Sequence, residues 1–154
     1  MERDRSIERD SRRDKLRKRL YAVAAVLAIF GLADGIYLTI EHVTGRTAQC
    51  IASSGCQEVL ASKYATWGPV PLAAVGALAY FTAFSLALLA AFGYPKTGTL
   101  FSLLVGGMFA TTLWLFYLQA WVLHAFCDYC LFSAGVTTTL AILVIVNALL
   151  RERV

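Results

Sequence analysis

The sequence predicts an all-α membrane protein, a bundle of four transmembrane helices with a short external surface helix between the first two. Hydrophobic residues make up 58% of the chain and charged residues only 16%, whereas a soluble domain is about one quarter charged. The N-terminal residues 1–19 hold nine of the fourteen Lys and Arg and five of the ten acidic residues. Four apolar segments of 21 to 24 residues follow, at 20–40, 71–92, 100–123 and 128–150.

Each apolar segment is long enough to span a membrane, since a helix needs about 20 residues to cross the hydrocarbon core. Lipid offers no partner to backbone amides, so such segments adopt helices. Pro69 and Pro71 mark the start of the second span, and the connector 93–99, with Pro95 and two glycines, separates it from the third. No internal repeat and no second domain is visible, so we predict one membrane domain over residues 20–150.

The first apolar segment has an alternative interpretation as a cleaved signal peptide, because a basic stretch precedes it. The apolar core of a signal peptide is usually about 7–15 residues long, and this segment is longer. It also contains Gly31 and Gly35, a Gly-x-x-x-Gly pattern that favours close packing between membrane helices. These features predict a retained helix.

The distribution of basic residues predicts the orientation. If the N-terminus is cytoplasmic, the cytoplasmic segments 1–19, 93–99 and 151–154 carry twelve Lys and Arg, and the external segments, including the loop 41–70, carry two. This asymmetry follows the positive-inside rule. We therefore predict a multi-pass protein of the plasma or bacterial inner membrane with both termini in the cytoplasm. Without basic–aromatic interleaving or a Gly-rich phosphate loop, the net charge of +4 does not indicate nucleic-acid binding.

All four cysteines fall on the predicted external side. Cys50 and Cys56 lie in the loop after the first span, and Cys127 and Cys130 lie at the start of the fourth. The outside of a prokaryotic cell is oxidising, so disulfides persist there. Three interpretations follow: structural disulfides, a four-thiolate zinc site, or a relay in which one pair exchanges with the other. The Cys-x5-Cys spacing is loose for zinc, and we predict no metal.

The Cys-x-x-Cys pair favours the relay. Its disulfide would close a very small ring and therefore restrict the unfolded chain little. Cys127 is placed at the N-terminus of the fourth helix, where free amides and the helix dipole stabilise a thiolate, the attacking species in exchange. Asp128 opposes this effect with its negative charge. Leu131 stands where a c-type haem motif needs histidine, and no strand pattern supports a thioredoxin fold.

The segment QEVLASKYATW, residues 57–67, is the predicted surface helix. Val59, Leu60, Tyr64 and Trp67 recur at roughly helical spacing, which is typical of an amphipathic helix on a membrane surface. The alternative is an ordinary loop with incidental apolar residues.

Together these features resemble the bacterial homologues of vitamin K epoxide reductase over about residues 20–150. The resemblance rests on four spans, an external Cys-x5-Cys loop and Cys-x-x-Cys at the outer start of the last helix. It is supported by GLADGIYLTIEH at the end of the first span, by Ser62 shortly after the loop pair, and by the Gly/Pro-rich start of the second span. The segment WGPVPL departs from the family pattern in having two prolines.

The resemblance implies that Cys127 and Cys130 form the active-site disulfide and that Cys130 faces a membrane quinone. Cys50 and Cys56 would be a shuttle pair: a reduced thioredoxin-like protein attacks Cys56, and Cys50 passes the electrons to Cys127. The quinone, of the menaquinone, ubiquinone or vitamin K type, is expected as a substrate, with no tightly bound cofactor. A separate DsbA-like protein is expected as the partner, together with the lipid bilayer, and Ser62 would anchor the surface helix.

Several other side chains are candidates for binding the quinone or moving its protons. Asp34 is the acidic residue well inside a span, where charges are costly and often functional; an interhelical hydrogen bond is the alternative. His124 precedes Cys127 by three residues, and the aromatic residues would suit a flat ring, although a membrane-interface belt also explains those of the third span. The complete candidate set is Ser62, Asp34, Tyr80, Phe84, Trp114, Tyr117 and His124.

The sequence thus predicts a membrane oxidoreductase that oxidises thiols outside the cytoplasm and reduces a quinone. Two alternatives from other classes remain. One is a non-catalytic membrane protein with structural disulfides. The other is a transmembrane carrier of reducing equivalents, which would need cysteines accessible from the cytoplasm.

Overall fold

The computed structural model describes residues 2–152 except 47, 49 and 53, with side chains omitted at 2–6, 9, 151 and 152. Of the predicted tail 151–154, residues 153 and 154 lie outside this description, as do three positions of the predicted loop 41–70. The elements in chain order are α1 (Glu2–Val43), α2 (Cys56–Leu60), β1 (Thr66–Trp67), β2 (Val70–Pro71), α3 (Leu72–Ala91), α4 (Thr97–Tyr117), a π-helical turn (Leu118–Leu123) and α5 (Asp128–Glu152).

Four helices within the described residues are long and apolar enough to cross a membrane, which confirms the predicted fold class. Helix α1 packs against α3 and α5, and α4 packs against the same two helices from the other side. The core consists mainly of small and aromatic residues, among them Ala28, Tyr80, Ala83 and Phe101. Small residues suit such a core because lipid gives no hydrophobic driving force, and close backbone approach supplies the packing.

Helix α1 is much longer than the predicted first span. It runs without a break from Glu2 to Val43, so most of the charged segment 1–19 is helical. Ion pairs one turn apart, such as Arg12 with Glu8 at 2.9 Å, accompany this extension. Each such exposed pair adds only about 0.3–0.5 kcal/mol, which is too little to form a helix alone. The N-terminal extension therefore depends on the membrane-spanning part of α1, which is packed in the bundle.

The Gly-x-x-x-Gly pattern brings α1 against α3, as predicted. A Cβ on Gly31 would lie within 2.6 Å of three ring atoms of Tyr80, and a Cβ on Gly35 would lie 3.0 Å from the backbone nitrogen of Ala77. The absent side chain of Gly31 therefore makes the space in which Tyr80 is buried. This contact fixes the depth of Tyr80 in the bundle.

We expect Gly31→Ala to lower the stability of the bundle by about 1–3 kcal/mol, the usual cost of overpacking a filled core. The added methyl group would collide with the Tyr80 ring. Thermal unfolding in detergent would measure the effect. Gly106→Ala is the matched control, because nothing lies within 4 Å of its Cβ position and alanine favours a helix. Equal melting temperatures for Gly31→Ala and wild type would contradict the prediction.

The predicted surface helix is present but ends after one turn, at Leu60. Of the four apolar residues that suggested it, Tyr64 lies in a turn and Trp67 lies in β1, with 78% of its surface exposed. Strands β1 and β2 pair antiparallel, Thr66 opposite Pro71, around Gly68 at φ +64°. The turn at Gly68 and Pro69 reverses the chain into this hairpin, because Gly68 adopts a left-handed conformation.

Candidate active site

The four cysteines meet at one end of the bundle. Cys50 and Cys56 form a disulfide, and Cys127 and Cys130 are thiols. Cys56 and Cys127, 1% and 0% exposed, belong to one apolar cluster with Val59 and Ala125, and Cys50 and Cys130 pack against it. The fold therefore brings both pairs within one small volume, although 71 residues of sequence separate Cys56 from Cys127.

Gly55 allows the loop to come this close. A Cβ at this position would lie 2.8 Å from the backbone nitrogen and oxygen of Phe126 and 2.9 Å from Cβ of Ala125. The backbone of the loop thus lies directly on the segment that precedes Cys127. Any larger residue would push the Cys50–Cys56 disulfide away from the second pair.

Asp128 ties the loop to α5. Its Oδ2 accepts hydrogen bonds from the backbone amides of Ile51 at 2.8 Å and Ala52 at 2.6 Å. The sequence predicted that this charge would oppose a thiolate at Cys127, but the carboxylate is directed to the loop amides. We infer that Asp128 holds the loop disulfide against the second pair.

We expect Asp128→Ala to speed reduction of the Cys50–Cys56 disulfide by dithiothreitol about tenfold, because charge-assisted hydrogen bonds contribute about 1.5–3 kcal/mol. Loss of these bonds would free the loop and expose Cys56, which is buried in the docked state. Glu58→Ala is the matched control, an exposed acid on α2. If Asp128→Ala and wild type were reduced at the same rate, the docking role would be wrong.

Cys127 sits at the start of α5, as predicted, and its surroundings stabilise a thiolate. A hydrogen bond from the Cys130 thiol lowers the pKa of Cys127 to about 7, despite opposing desolvation by burial. The backbone amides of Cys130 and Tyr129 lower this pKa further, and the charge of Asp34 raises it. Near neutral pH, Cys127 is therefore poised between thiol and thiolate, which suits exchange.

A buried glutamine, which the sequence interpretation did not single out, also contacts Cys127. The Oε1 of Gln119 accepts the backbone N–H of Cys127 at 3.0 Å, and Gln119 is 4% exposed. It lies in the π-helical turn after α4, a rare geometry that often occurs at functional sites. The only signal in the sequence was that Gln119 is the one amide side chain in the third apolar segment.

The disulfide argues against the zinc interpretation. Sulfur atoms of Cys50 and Cys56 and a carboxylate oxygen of Asp128 lie within 4.8 Å of one another. Zinc binds cysteine as thiolate, and a four-thiolate site would need Cys50 and Cys56 in that form. Their mutual bond removes both of these ligands.

A largely apolar cavity of about 510 Å³ opens inside the bundle next to the cysteines. Its volume is within the range of about 300–1,000 Å³ that is typical of small-molecule sites. Cys130 lines it from α5, Leu60 from α2, and Leu104 and Met108 from α4. The second thiol of the Cys-x-x-Cys pair is thus part of a hydrophobic binding space.

Three of the seven candidates from the sequence line this cavity: Asp34, Ser62 and Tyr80. The hydroxyl of Tyr80 bonds to Ser133 Oγ and Thr137 Oγ1, both at 2.8 Å, so it joins α3 to α5. Ser62 donates to the carbonyl of Val59 at 2.7 Å and secures the end of α2. His42, which follows Asp34 by two turns on α1, lines the cavity too.

The other four candidates do not line the cavity. Phe84 packs against the helix core, and Trp114 and Tyr117 are about half exposed and contact Tyr64 and Trp121. His124 is exposed and adopts a left-handed backbone at φ 49°, where it ends the π-helical turn. Its position indicates a role in turning the chain.

The fold and this site define a membrane-spanning thiol–disulfide redox protein, with one disulfide and one dithiol in contact at the edge of an apolar cavity. Residues 22–145 of the chain match the sequence profile of the vitamin K epoxide reductase family. The protein belongs to the vitamin K epoxide reductase family, and membership supports a disulfide oxidoreductase activity.

Proposed function

We propose that this protein takes electrons from a separate thioredoxin-like, DsbA-like protein and gives them to a membrane quinone. The observation that supports this most is the position of Cys130, which contacts Cys127 and also lines the apolar cavity. A quinone dissolves in lipid and a thiol protein in water. A catalyst between them needs one sulfur pair beside the lipid-soluble substrate, as Cys130 is beside the cavity, and a second pair on a loop that can lift to meet the thiol protein.

Electrons enter at the loop disulfide. In the docked loop Cys56 is buried, so the partner's thiolate reaches Cys56 only when the loop lifts from Asp128. The partner's attack reduces the Cys50–Cys56 disulfide to two thiols while the partner's own two thiols become a disulfide. Cys50 then attacks Cys127 of an oxidised Cys127–Cys130 pair, Cys130 leaves as thiolate, and Cys56 completes the exchange by re-forming its bond to Cys50.

The resulting state has a loop disulfide and a Cys127–Cys130 dithiol, which is the state of the structure. In the next step a bond forms between the two sulfurs of this dithiol, which lose two electrons and two protons. The quinone takes up two electrons and two protons and leaves as hydroquinone. The cavity fits such a substrate because apolar side chains surround a few polar groups.

Asp34 is the proposed carrier of protons in this step. It is half-buried, lines the cavity with Cys130 and acts electrostatically on Cys127. Among the described residues the Asp34 carboxyl has no hydrogen-bond or ion-pair partner, so it is available to take a proton from a thiol and donate it to a quinone oxygen. Such a positioned acid–base group typically contributes about 10²–10⁴-fold to a rate.

The basic residues favour an orientation in which the N-terminal end of α1 is cytoplasmic and the cysteines are extracytoplasmic. The protein would then lie in the plasma or bacterial inner membrane and support disulfide formation outside the cytoplasm. Labelling of single cysteines with a membrane-impermeant thiol reagent from each side would test this orientation.

The deciding experiment mixes purified protein with a reduced DsbA-like protein and a quinone without oxygen, and follows the quinone absorbance. We expect reduction by the wild type and none by the variants of Cys127 or Cys130. Cys56→Ser should accumulate a Cys50–Cys127 mixed disulfide. Quinone reduction that persists without Cys130 would disprove the proposal, and a loss of stability without any trapped disulfide would favour structural disulfides.

A further inference from the structure

Gln119 is the buried side chain that links Cys127 to the cavity. Its Oε1 accepts the Cys127 N–H at 3.0 Å, and the same side chain lines the cavity. Because a backbone N–H can only donate, the amide oxygen must face Cys127, which fixes the orientation of the group. The Nε2 donors of Gln119 therefore point away from Cys127.

The amide nitrogen of Gln119 has no acceptor in the protein, as far as the described residues show. The nitrogen is not completely enclosed either, because it is absent from the fully buried unpaired atoms, which are Arg17 Nε and Asn147 Oδ1. The side chain is 4% exposed, and the cavity is the space that it lines. An unpaired buried donor costs about 1–3 kcal/mol, so the position is suited to a ligand with an acceptor oxygen.

We propose that Gln119 binds the quinone, donating a hydrogen bond from Nε2 to one carbonyl oxygen while its own oxygen holds Cys127. This inference rests on the proposed function. The contact would fix the quinone relative to the Cys127–Cys130 pair through a single side chain. It also specifies the ligand class as a flat ring with a carbonyl acceptor, because an aromatic hydrocarbon would leave the donor unpaired. The same donor would stabilise negative charge on that oxygen as electrons arrive.

The test measures binding of menadione, a naphthoquinone without a lipid tail, by tryptophan fluorescence quenching in oxidised protein, which has no electrons to give. Gln119→Met removes both hydrogen-bonding functions, and we expect about tenfold weaker binding. Ser102→Ala is the matched control, since Ser102 lies on α4 away from the cavity lining and donates to the Gly98 carbonyl within its own helix. We expect this control to bind within about twofold of wild type.

Gln119→Glu gives a second readout that a structural role would not affect. The substituted side chain keeps an acceptor for Cys127 but has a donor only when protonated, so menadione affinity should fall as pH rises, relative to wild type. The other titratable groups that line the cavity are the same in both proteins, so the comparison cancels their effects: Asp34, His42, Tyr64, Tyr80 and Tyr129. This readout decides the matter if Gln119→Met does not fold.

Binding of menadione by Gln119→Met within twofold of wild type, together with a pH-independent Gln119→Glu, would overturn the assignment. Failure of the wild type to bind menadione would overturn it as well. If the wild type bound menadione through Gln119 but did not reduce quinone in the anaerobic assay, the proposed function would be wrong and the Gln119 site would stand.

Discussion

Cys130→Ala is expected to lower quinone reduction by more than about a thousandfold, as removal of an essential nucleophile does in other enzymes. Cys130 is the sulfur that lines the cavity, and without it Cys127 has no partner with which to close a disulfide inside the bundle. The anaerobic assay with a reduced DsbA-like protein measures this loss. Thiol exchange between Cys127 and the loop should survive, because the Cys50–Cys56 disulfide and Cys127 remain in the same cluster.

The same substitution should raise the pKa of Cys127. The hydrogen bond from Cys130 is the largest contribution that lowers this pKa to about 7, so in wild type the thiolate predominates above that pH and is lost below it. Without the bond, burial opposes the charged form, and the midpoint should move up to at least the ordinary thiol value of about 8.5. Thiolate absorbance in a Cys50→Ser, Cys56→Ser background would follow it.

Cys130→Ser is the control that separates the two roles. Its hydroxyl can still donate to the Cys127 sulfur but cannot form a disulfide. We expect quinone reduction to be lost as in Cys130→Ala, with a Cys127 midpoint between those of wild type and the alanine variant. Equal midpoints in all three proteins would show that this hydrogen bond does not set the pKa.

The spans could be predicted because lipid imposes a simple rule on the sequence. An apolar run must be helical in the hydrocarbon core, and prolines and glycines between runs mark the breaks. Helix α3 accordingly covers Leu72–Ala91, within one residue of the predicted segment at each end. Gly31 and Gly35 also indicated a close helix–helix contact, because small residues in membrane helices are enriched where two backbones approach closely.

The hairpin and the extended α1 could not be predicted in the same way. The spacing from Val59 to Trp67 suits a helix, and only the left-handed Gly68 and the pairing of Thr66 with Pro71 exclude it. The periodicity of apolar residues reveals a helix only where the helix buries one face. Residues 1–19 are largely charged and lack such a periodicity. Their helical state follows from continuation of the span rather than from their own pattern.

The gathering of the cysteines at one end of the bundle was predictable, whereas the residues that line the cavity were predictable only in part. A helix that is apolar on all sides has no pattern to show which face turns inward, so Trp114 and Tyr117 were indistinguishable in sequence from residues that line the cavity. The π-helical turn places Gln119 against Cys127. Asp128 binds two loop amides that are more than 70 residues away in sequence. Tertiary contacts of this kind leave no local signal.

Asp34→Asn is expected to slow the quinone-reducing step by about a hundredfold, within the range found for loss of a general acid or base. Asparagine has nearly the same shape as aspartate, so the cavity should still bind the quinone. Asparagine cannot, however, take a proton from a thiol and pass it on. The quinone KM should therefore change little while kcat falls. Stopped-flow mixing of reduced protein with quinone isolates this step from the earlier thiol exchange.

Two controls show whether the loss comes from proton transfer. Asp34→Glu keeps the acid and should recover part of the rate, whereas Thr39→Val, on the same helix with its hydroxyl bonded to the Gly35 carbonyl, should leave both steps unchanged. Formation of the Cys50–Cys127 species should be at least as fast in Asp34→Asn as in wild type, because it needs no proton from Asp34 and the lost negative charge no longer opposes a thiolate in the Cys127–Cys130 pair. If both steps slowed equally, Asp34 would support the packing of α1, and if neither slowed, the protons would reach the quinone by another path.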